Sequence, residues 1–348
     1  MSMDSTDPEP VDHGAWMKPG VFPVADGVWR IPLPLPMKDL SCVNSWLFTA
    51  GDDVVLVDPG WASVESETTL SDALRSLDLD FTDVRRIAIT HTHWDHYSEA
   101  MLIRLRYGTP ISVGEGERAT VEAYRPGDAF FSRQSARLFA CGAEVLARTV
   151  AALPPEPYEV GLLFLPPDEW LDSGQAIPLG SRNLVSYATP GHTAGHMVFS
   201  DPANGLMITG DHVLPRITPS IGLELRPEAF PLRSFLRSLA FVKTLPDAKV
   251  LPAHGNITDS IHQRADELLA HHESRFDVVT EQLKDGPDTA MAIASRMKWT
   301  RRGRDLDEIV PVHQMAAVLE IAAHLDVLKQ RGSVTVDVVD GIEVFAAA

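Results

Sequence analysis

The chain has 348 residues, 45% hydrophobic and 22% charged, proportions of a globular protein with enough chain for one large domain or two unequal ones. Its net charge of −18, from 48 acidic against 30 basic residues, opposes broad binding to phosphate backbones or anionic membranes. There is no uninterrupted apolar run of membrane-spanning length, the opening MSMDSTDPEP is acidic rather than basic-then-apolar, and the two cysteines, Cys42 and Cys141, form no CxxC pair, so we expect a cytoplasmic protein with no membrane anchor and no disulfide framework.

Residues 1–25 are Pro-rich and polar and read as a loosely ordered arm. From Gly27 the pattern is strand-like: GVWRIPLPL, VNSWLFTA and DVVLVDPG, with Gly51-Asp52 as a hairpin turn. Apolar Val64, Leu70, Ala73, Leu74 and Leu77 mark an amphipathic helix over 63–77. RRIAIT (85–90) is a short buried-type strand, 98–107 a helix and ISVGE (111–115) another strand. Segment 117–165 reads as a helical insertion covering something, with Tyr124, Phe130, Phe131 and Phe139 either lining an apolar pocket or simply packing. Strands return at 183–191, 196–201 and 205–211, followed by an amphipathic helix over 231–245 and a strand over 249–255. Residues 26–257 therefore read as one domain. Three helical patterns (260–284, 288–297, 313–331) and a hairpin around Asp340-Gly341 suggest a small winged-helix-like domain over 258–348.

The chemistry concentrates at strand ends. His91, His93, Asp95 and His96 crowd into the hexapeptide HTHWDH directly after the 85–90 strand, and imidazole and carboxylate are the ligands that zinc and similar divalent ions favour. His192 in ATPGHTAGH, Asp211 in MITGDH and His254 in VLPAHG each follow an apolar strand in the same way, beside glycines suited to tight turns. Four such ends would converge on one rim of a sheet sandwich.

This set, HxHxDH followed by a later His, an Asp and a final His over roughly residues 20–257, resembles the metallo-β-lactamase superfamily. The resemblance implies an α+β fold, the αββα sandwich, with a metal site at one edge of two packed sheets. It implies two divalent metal ions, zinc foremost and manganese or iron as alternatives: His91, His93 and His192 on the first, Asp95, His96 and His254 on the second, Asp211 between them. A metal-bridging hydroxide would then attack an acyl centre, with Asp95 and Asp211 as the catalytic carboxylates. Asp58, in LVDPG, matches a position usual in this family; Asp58 and Ser41 are candidates for fixing histidine tautomers.

Asp211 resembles the glyoxalase II, lactonase and nuclease branches more than the broad-spectrum β-lactamases, which usually carry Cys or Ser there. The run Asp95-His96-Tyr97-Ser98-Glu99 departs from the DHxGG of glyoxalase II. Tyr97 either points into the pocket or packs beneath the loop. His212 and Arg216 follow Asp211 closely; with Tyr97 and Tyr124 they are the substrate-binding candidates, Arg216 for a carboxylate or phosphate or else for an ion pair. The expected function is hydrolysis of a thioester, ester or lactone of a small acyl substrate, in a monomer or homodimer. Two alternatives stay open. One is an endoribonuclease of the winged-helix type, resting on five basic residues and Trp299 within 296–304. The other is an iron-dependent persulfide dioxygenase.

Overall fold

The computed structural model describes residues 14–37, 40–125, 132–299 and 303–348. The chain opens with a meander: β1 (Phe22–Ala25), β2 (Val28–Pro34), β3 (Cys42–Ala50) and β4 (Asp53–Val57), each antiparallel to the one before. Phe22 pairs with Arg30, so regular structure begins inside the segment expected to be an arm, and that boundary moves back. Pro23 and the bulge beside it had masked the strand; both are features of sheet edges.

Two strand–helix units follow. α1 (Val64–Arg75) is capped by Ser63, whose hydroxyl accepts from Ser66 N, with Glu65 and Glu67 in its first turn and Arg75 in its last. It leads to β5 (Arg86–Ile89), α2 (Trp94–Tyr107) and β6 (Ile111–Gly114), so β4, β5 and β6 run parallel. After α3 (Arg118–Ala123), α4 (Ser132–Ala140) and α5 (Glu144–Ala151), β7 (Glu169–Leu171) closes a seven-stranded sheet in sequential order. The second sheet has the order β12-β11-β10-β9-β8, built from β8 (Ala176–Leu179), β9 (Arg182–Ala188), β10 (Met197–Asp201), β11 (Leu206–Gly210) and β12 (Lys249–Pro252). α6 (Pro231–Val242) connects parallel β11 and β12.

The strands carry apolar residues on both faces, which is what a doubly covered sheet needs. Trp46, Phe48, Val55, Leu184, Phe199 and Ile208 fill the space between the sheets. On the outer face of the first sheet, Leu47, Leu56 and Ile87 meet Leu70 and Leu74 of α1 and Met101 and Ile103 of α2. On the outer face of the second, Val198, Met207 and Val250 meet Phe235 and Leu239 of α6. The result is the αββα sandwich.

The tail contains α7 (Ile261–Gln282), α8 (Ala290–Arg296), α9 (Pro311–Gln330) and a hairpin of β13 (Val334–Val339) and β14 (Ile342–Ala347). Its core is continuous with the insertion and with α6: Leu138, Leu146 and Val150 share one apolar cluster with Phe235, Leu268, Ile293, Val318, Leu325 and Phe345. No helix among the described residues is long and apolar enough to cross a membrane.

Candidate metal centre

The ligand-type residues all sit on the loops that leave strand ends. His91 and His93 follow β5; His93 is the N-cap of α2, and Asp95 and His96 lie in that helix's first turn. His192 follows β9, Asp211 follows β11 and His254 follows β12. Two glycines allow the approach. Gly210 has φ +49°, and a Cβ there would lie 2.6 Å from Thr90 Oγ1. Gly191 has φ +137°, and its Cβ would fall 2.4 Å from Phe235 Cβ.

Two groups of ligand atoms result. His91 Nε2, His93 Nδ1 and His192 Nε2 stand 3.0–3.2 Å from one another, and Asp211 Oδ2 is 3.5 Å from His192 Nε2. In the second group, Asp95 Oδ2 lies 3.5 Å from His96 Nε2 and 3.3 Å from His254 Nε2. Asp211 Oδ1 is 3.4 Å from His254 Nε2, so one carboxylate offers an oxygen to each group. Ligand atoms of a tetrahedral zinc at about 2.1 Å stand roughly 3.4 Å apart, the spacing of these edges.

The hydrogen-bond network sets each imidazole's tautomer. His96 Nδ1 donates to Asp58 Oδ2 at 2.9 Å, His192 Nδ1 to Ser220 O at 2.7 Å and His254 Nδ1 to Cys42 O at 2.8 Å. His91 Nδ1 lies 3.1 Å from Thr90 Oγ1, whose own hydroxyl donates to Asp58 at 2.7 Å. Each of these rings therefore turns an Nε2 lone pair toward the group. Asp58 serves two rings, one directly and one through Thr90, from a left-handed backbone at φ +51°. Ser41 does not share this work: it is exposed, and the neighbouring Cys42 carbonyl holds His254 instead.

The electrostatics suit cations. Burial and the surrounding imidazoles hold His91 well below the ordinary range and His93 at about 3, leaving their lone pairs free. At His96 burial opposes the charged form, but Asp95 and Asp58 outweigh it and raise the ring to about 10. His254 moves up against burial for the same reason, beside Asp211 and Asp95. His96 Nε2, His254 Nε2 and Asp211 Oδ1 are buried without a hydrogen-bond partner. Ring nitrogens and a carboxylate oxygen left unpartnered in a buried site are costly unless positive charge, as protons or a metal ion, occupies the space between them. The donor set fits two divalent ions.

Three further residues, unmarked in the sequence reading, brace the loops. His196 Nε2 accepts from Asp211 N at 3.1 Å while its Nδ1 bonds Thr189 Oγ1 at 2.9 Å, fixing the backbone of Asp211. Glu117, fully buried, accepts from the hydroxyls of Thr92 (2.5 Å) and Thr193, tying the His91–His93 loop to the His192 loop. Glu224 accepts from Ala194 N at 2.7 Å and Thr120 Oγ1 at 3.2 Å.

A cavity of about 250 Å³ opens beside the ligands, bordered by His93, Asp95, Trp61, Trp94, Phe164 and Glu224. Of the four substrate candidates, only Tyr124 reaches it. Tyr97 is buried beneath the loop, its hydroxyl donating to Leu165 O at 2.5 Å. His212 is buried against Phe235, with ring centroids 5.1 Å apart, and Arg216 is exposed; neither borders the cavity. Phe139 is an exposed surface residue, and Phe130 and Phe131 lie outside the described residues. In the basic segment, Trp299 is buried with its Nε1 donating to Ala294 O at 2.9 Å, Lys298 pairs with Asp305, and Arg301 and Arg302 lie outside the described residues.

Known proteins share this arrangement. The family model of the metallo-beta-lactamase superfamily matches residues 41–254. The chain is 23% identical over 329 residues to the probable metallo-hydrolase YqjP of Bacillus subtilis, spanning 88% of this chain and 92% of that one. It is 30% identical over 214 residues to an uncharacterized protein of Mycobacterium leprae, spanning 60% of this chain and 84% of the relative. A metallo-beta-lactamase family protein from Thermus thermophilus superposes with a TM-score of 0.75 at 27% identity, over 93% of this chain and 99% of that one. A beta-lactamase domain protein from Burkholderia ambifaria gives 0.72 at 28% identity, over 94% and 93%. At that coverage the likeness runs past the sandwich into the C-terminal helices. Fold, ligand spacing and family match agree, and the chain belongs to the metallo-beta-lactamase superfamily.

Proposed function

We propose that this metallo-hydrolase fold cleaves a thioester, ester or lactone bond of a small acyl substrate, using two divalent ions, zinc foremost. The observation that carries this is the sharing of Asp211 between two ligand groups whose neighbours His93 and Asp95 border a largely apolar cavity. His91, His93 and His192 would hold the first ion, Asp95, His96 and His254 the second, and Asp211 both. When bound, such a pair acidifies water and polarises the scissile carbonyl. Asp95 borders the cavity as well as the second group, and His96 and His254 hold its carboxylate below the ordinary range against the effect of burial. It is therefore ionised, and would orient the attacking water by accepting its hydrogen bond. Asp58 and the carbonyls of Ser220 and Cys42 keep the imidazoles oriented.

The burial of Trp299 and the ion pair at Lys298 weigh against a nucleic-acid groove in the tail, and the net charge does so too. Both cysteines are buried and free, which accords with a reducing, cytoplasmic setting. The test is hydrolysis of acyl thioesters by zinc-loaded protein beside its Asp211→Ala and His254→Ala variants. We expect turnover to fall by about 10³ or more in both while the circular dichroism is kept. Activity retained in both variants would overturn the two-ion reading, and oxygen uptake with persulfides by a one-iron protein would replace it.

A further inference from the structure

The cavity beside the metal ligands is hollow, although aromatic side chains wall it. Trp94, Tyr124 and Phe164 meet in mutual edge and tilted contacts, with centroids 5.6 Å (Trp94–Tyr124), 5.1 Å (Trp94–Phe164) and 4.9 Å (Tyr124–Phe164) apart. Trp61 stands on the same cavity, braced edge-on by Tyr158 at 5.6 Å. Rings that served only as packing would interdigitate to native density. These brace one another and leave about 250 Å³ between them and the ligand loops. Preformed aromatic walls of this kind gain most from a flat apolar guest, by area and by ring–ring contact.

The charged groups on the cavity are Glu159, Glu224 and Arg125, besides the ligand Asp95. Arg125 is the one cation among the described lining residues, and the three carboxyl groups of Asp95, Glu159 and Glu224 outnumber it. Glu224 has each oxygen in use, one toward Ala194 N and one toward Thr120 Oγ1, and offers no free donor to an incoming carboxylate. An acyl group bearing its own carboxylate would lose its hydration here and meet carboxyl groups in exchange.

Resting on the hydrolase reading above, we propose that the cavity selects the acyl half of the substrate as an uncharged aromatic group, seated among Trp61, Trp94, Tyr124 and Phe164, and rejects acyl groups that end in a carboxylate. The leaving group then lies outside the cavity, on the open side of the metal ligands.

The test uses zinc-loaded full-length protein and three thioesters of N-acetylcysteamine that differ only in the acyl group: phenylacetyl, acetyl and succinyl. We expect kcat/KM to be at least 30-fold higher for phenylacetyl than for acetyl (about 2 kcal/mol at 1.4 kcal/mol per tenfold) and succinyl to fall below acetyl. A second arm needs no turnover: phenylacetamide and succinamate are titrated while the fluorescence of the wall tryptophans is followed. Phenylacetamide is expected to bind at least tenfold more tightly, and Phe164→Ala to lose most of that margin. Succinyl turned over as well as phenylacetyl, or equal binding of the two amides, would overturn the proposal. If no thioester is cleaved but phenylacetamide binds selectively, the hydrolase reading fails and the cavity assignment stands. Cleavage without acyl preference gives the converse.

Discussion

Asp58→Asn is a change of one atom in a buried position, and its consequence can be worked out donor by donor. Asp58 Oδ2 accepts from His96 Nδ1 at 2.9 Å and from Thr90 Oγ1 at 2.7 Å, and Oδ1 accepts from Thr90 N at 2.8 Å. An amide in the same place must set its NH2 against either the His96 side or the Thr90 N side, so one donor faces a donor in both rotamers. With NH2 toward His96, the ring relaxes by moving its proton to Nε2, the atom aimed at Asp95 and the second ligand group. Restoring an Nε2 lone pair then costs a lost charge-assisted bond and an unsatisfied buried donor, about 2–4 kcal/mol. At 1.4 kcal/mol per tenfold, the second ion should bind roughly 30- to 700-fold more weakly. The first ion feels the change only through Thr90 and His91 and should weaken by less than about tenfold. Competition with a chromophoric chelator at pH 7.5 measures both steps, and unfolding of the metal-free variant checks its fold. A folded Asp58→Asn protein whose two affinities stay within threefold of the parent would refute the tautomer argument.

Three other outcomes follow from the same geometry. Glu117→Ala strands the buried hydroxyls of Thr92 and Thr193 and should cost about 3 kcal/mol in urea unfolding, whereas Glu117→Gln, keeping one acceptor beside hydroxyls that can reverse, should cost under about 1 kcal/mol; equal losses would contradict the strap. Glu99 is 1% exposed, and burial with Glu67 nearby raises it to about 8. A carboxyl raised on folding favours the folded state fully below its unfolded pKa of about 4.5 and loses that advantage as pH rises toward 8, so the gain from Glu99→Gln should grow by about 2–3 kcal/mol between pH 6 and 8.5. A pH-independent difference in unfolding free energy would show Glu99 ionised in the fold. Gly191→Ala would drive a Cβ to 2.5 Å from the Phe235 backbone and 2.4 Å from its Cβ, at a cost on the order of 3 kcal/mol, and displace His192; a variant with unchanged thermal midpoint and zinc content would contradict it.

The candidate ligands were legible because a strand end followed at once by His or Asp is a local pattern, repeated here after β5, β9, β11 and β12. The strands that escaped notice, β1, β7 and β8, all lie at sheet edges, are three or four residues long, and two of them contain proline. Short edge strands draw their stability from a neighbour rather than from their own pattern. α2 begins at Trp94 rather than 98, because the metal motif itself forms the helix's first turn. Ser41 plays no part in this for a physical reason: the groups that orient His192 and His254 are backbone carbonyls, which any residue supplies. Glu117 and His196 act across more than fourteen residues of sequence on threonines and an amide, and no spacing rule announces such contacts. Tyr97 shows the limit of adjacency, since on a helix the residue after a ligand faces elsewhere, here into the core.

In the proposed two-ion centre, Asp211 is the residue that joins the two ligand groups. Titration of chelator-stripped protein with zinc, followed calorimetrically for the parent chain and for Asp211→Ala, tests it most directly. Two ions per chain are expected in the parent, with a marked loss of affinity for both in the variant. A single ion in the parent, or two bound with undiminished affinity without Asp211, would contradict it.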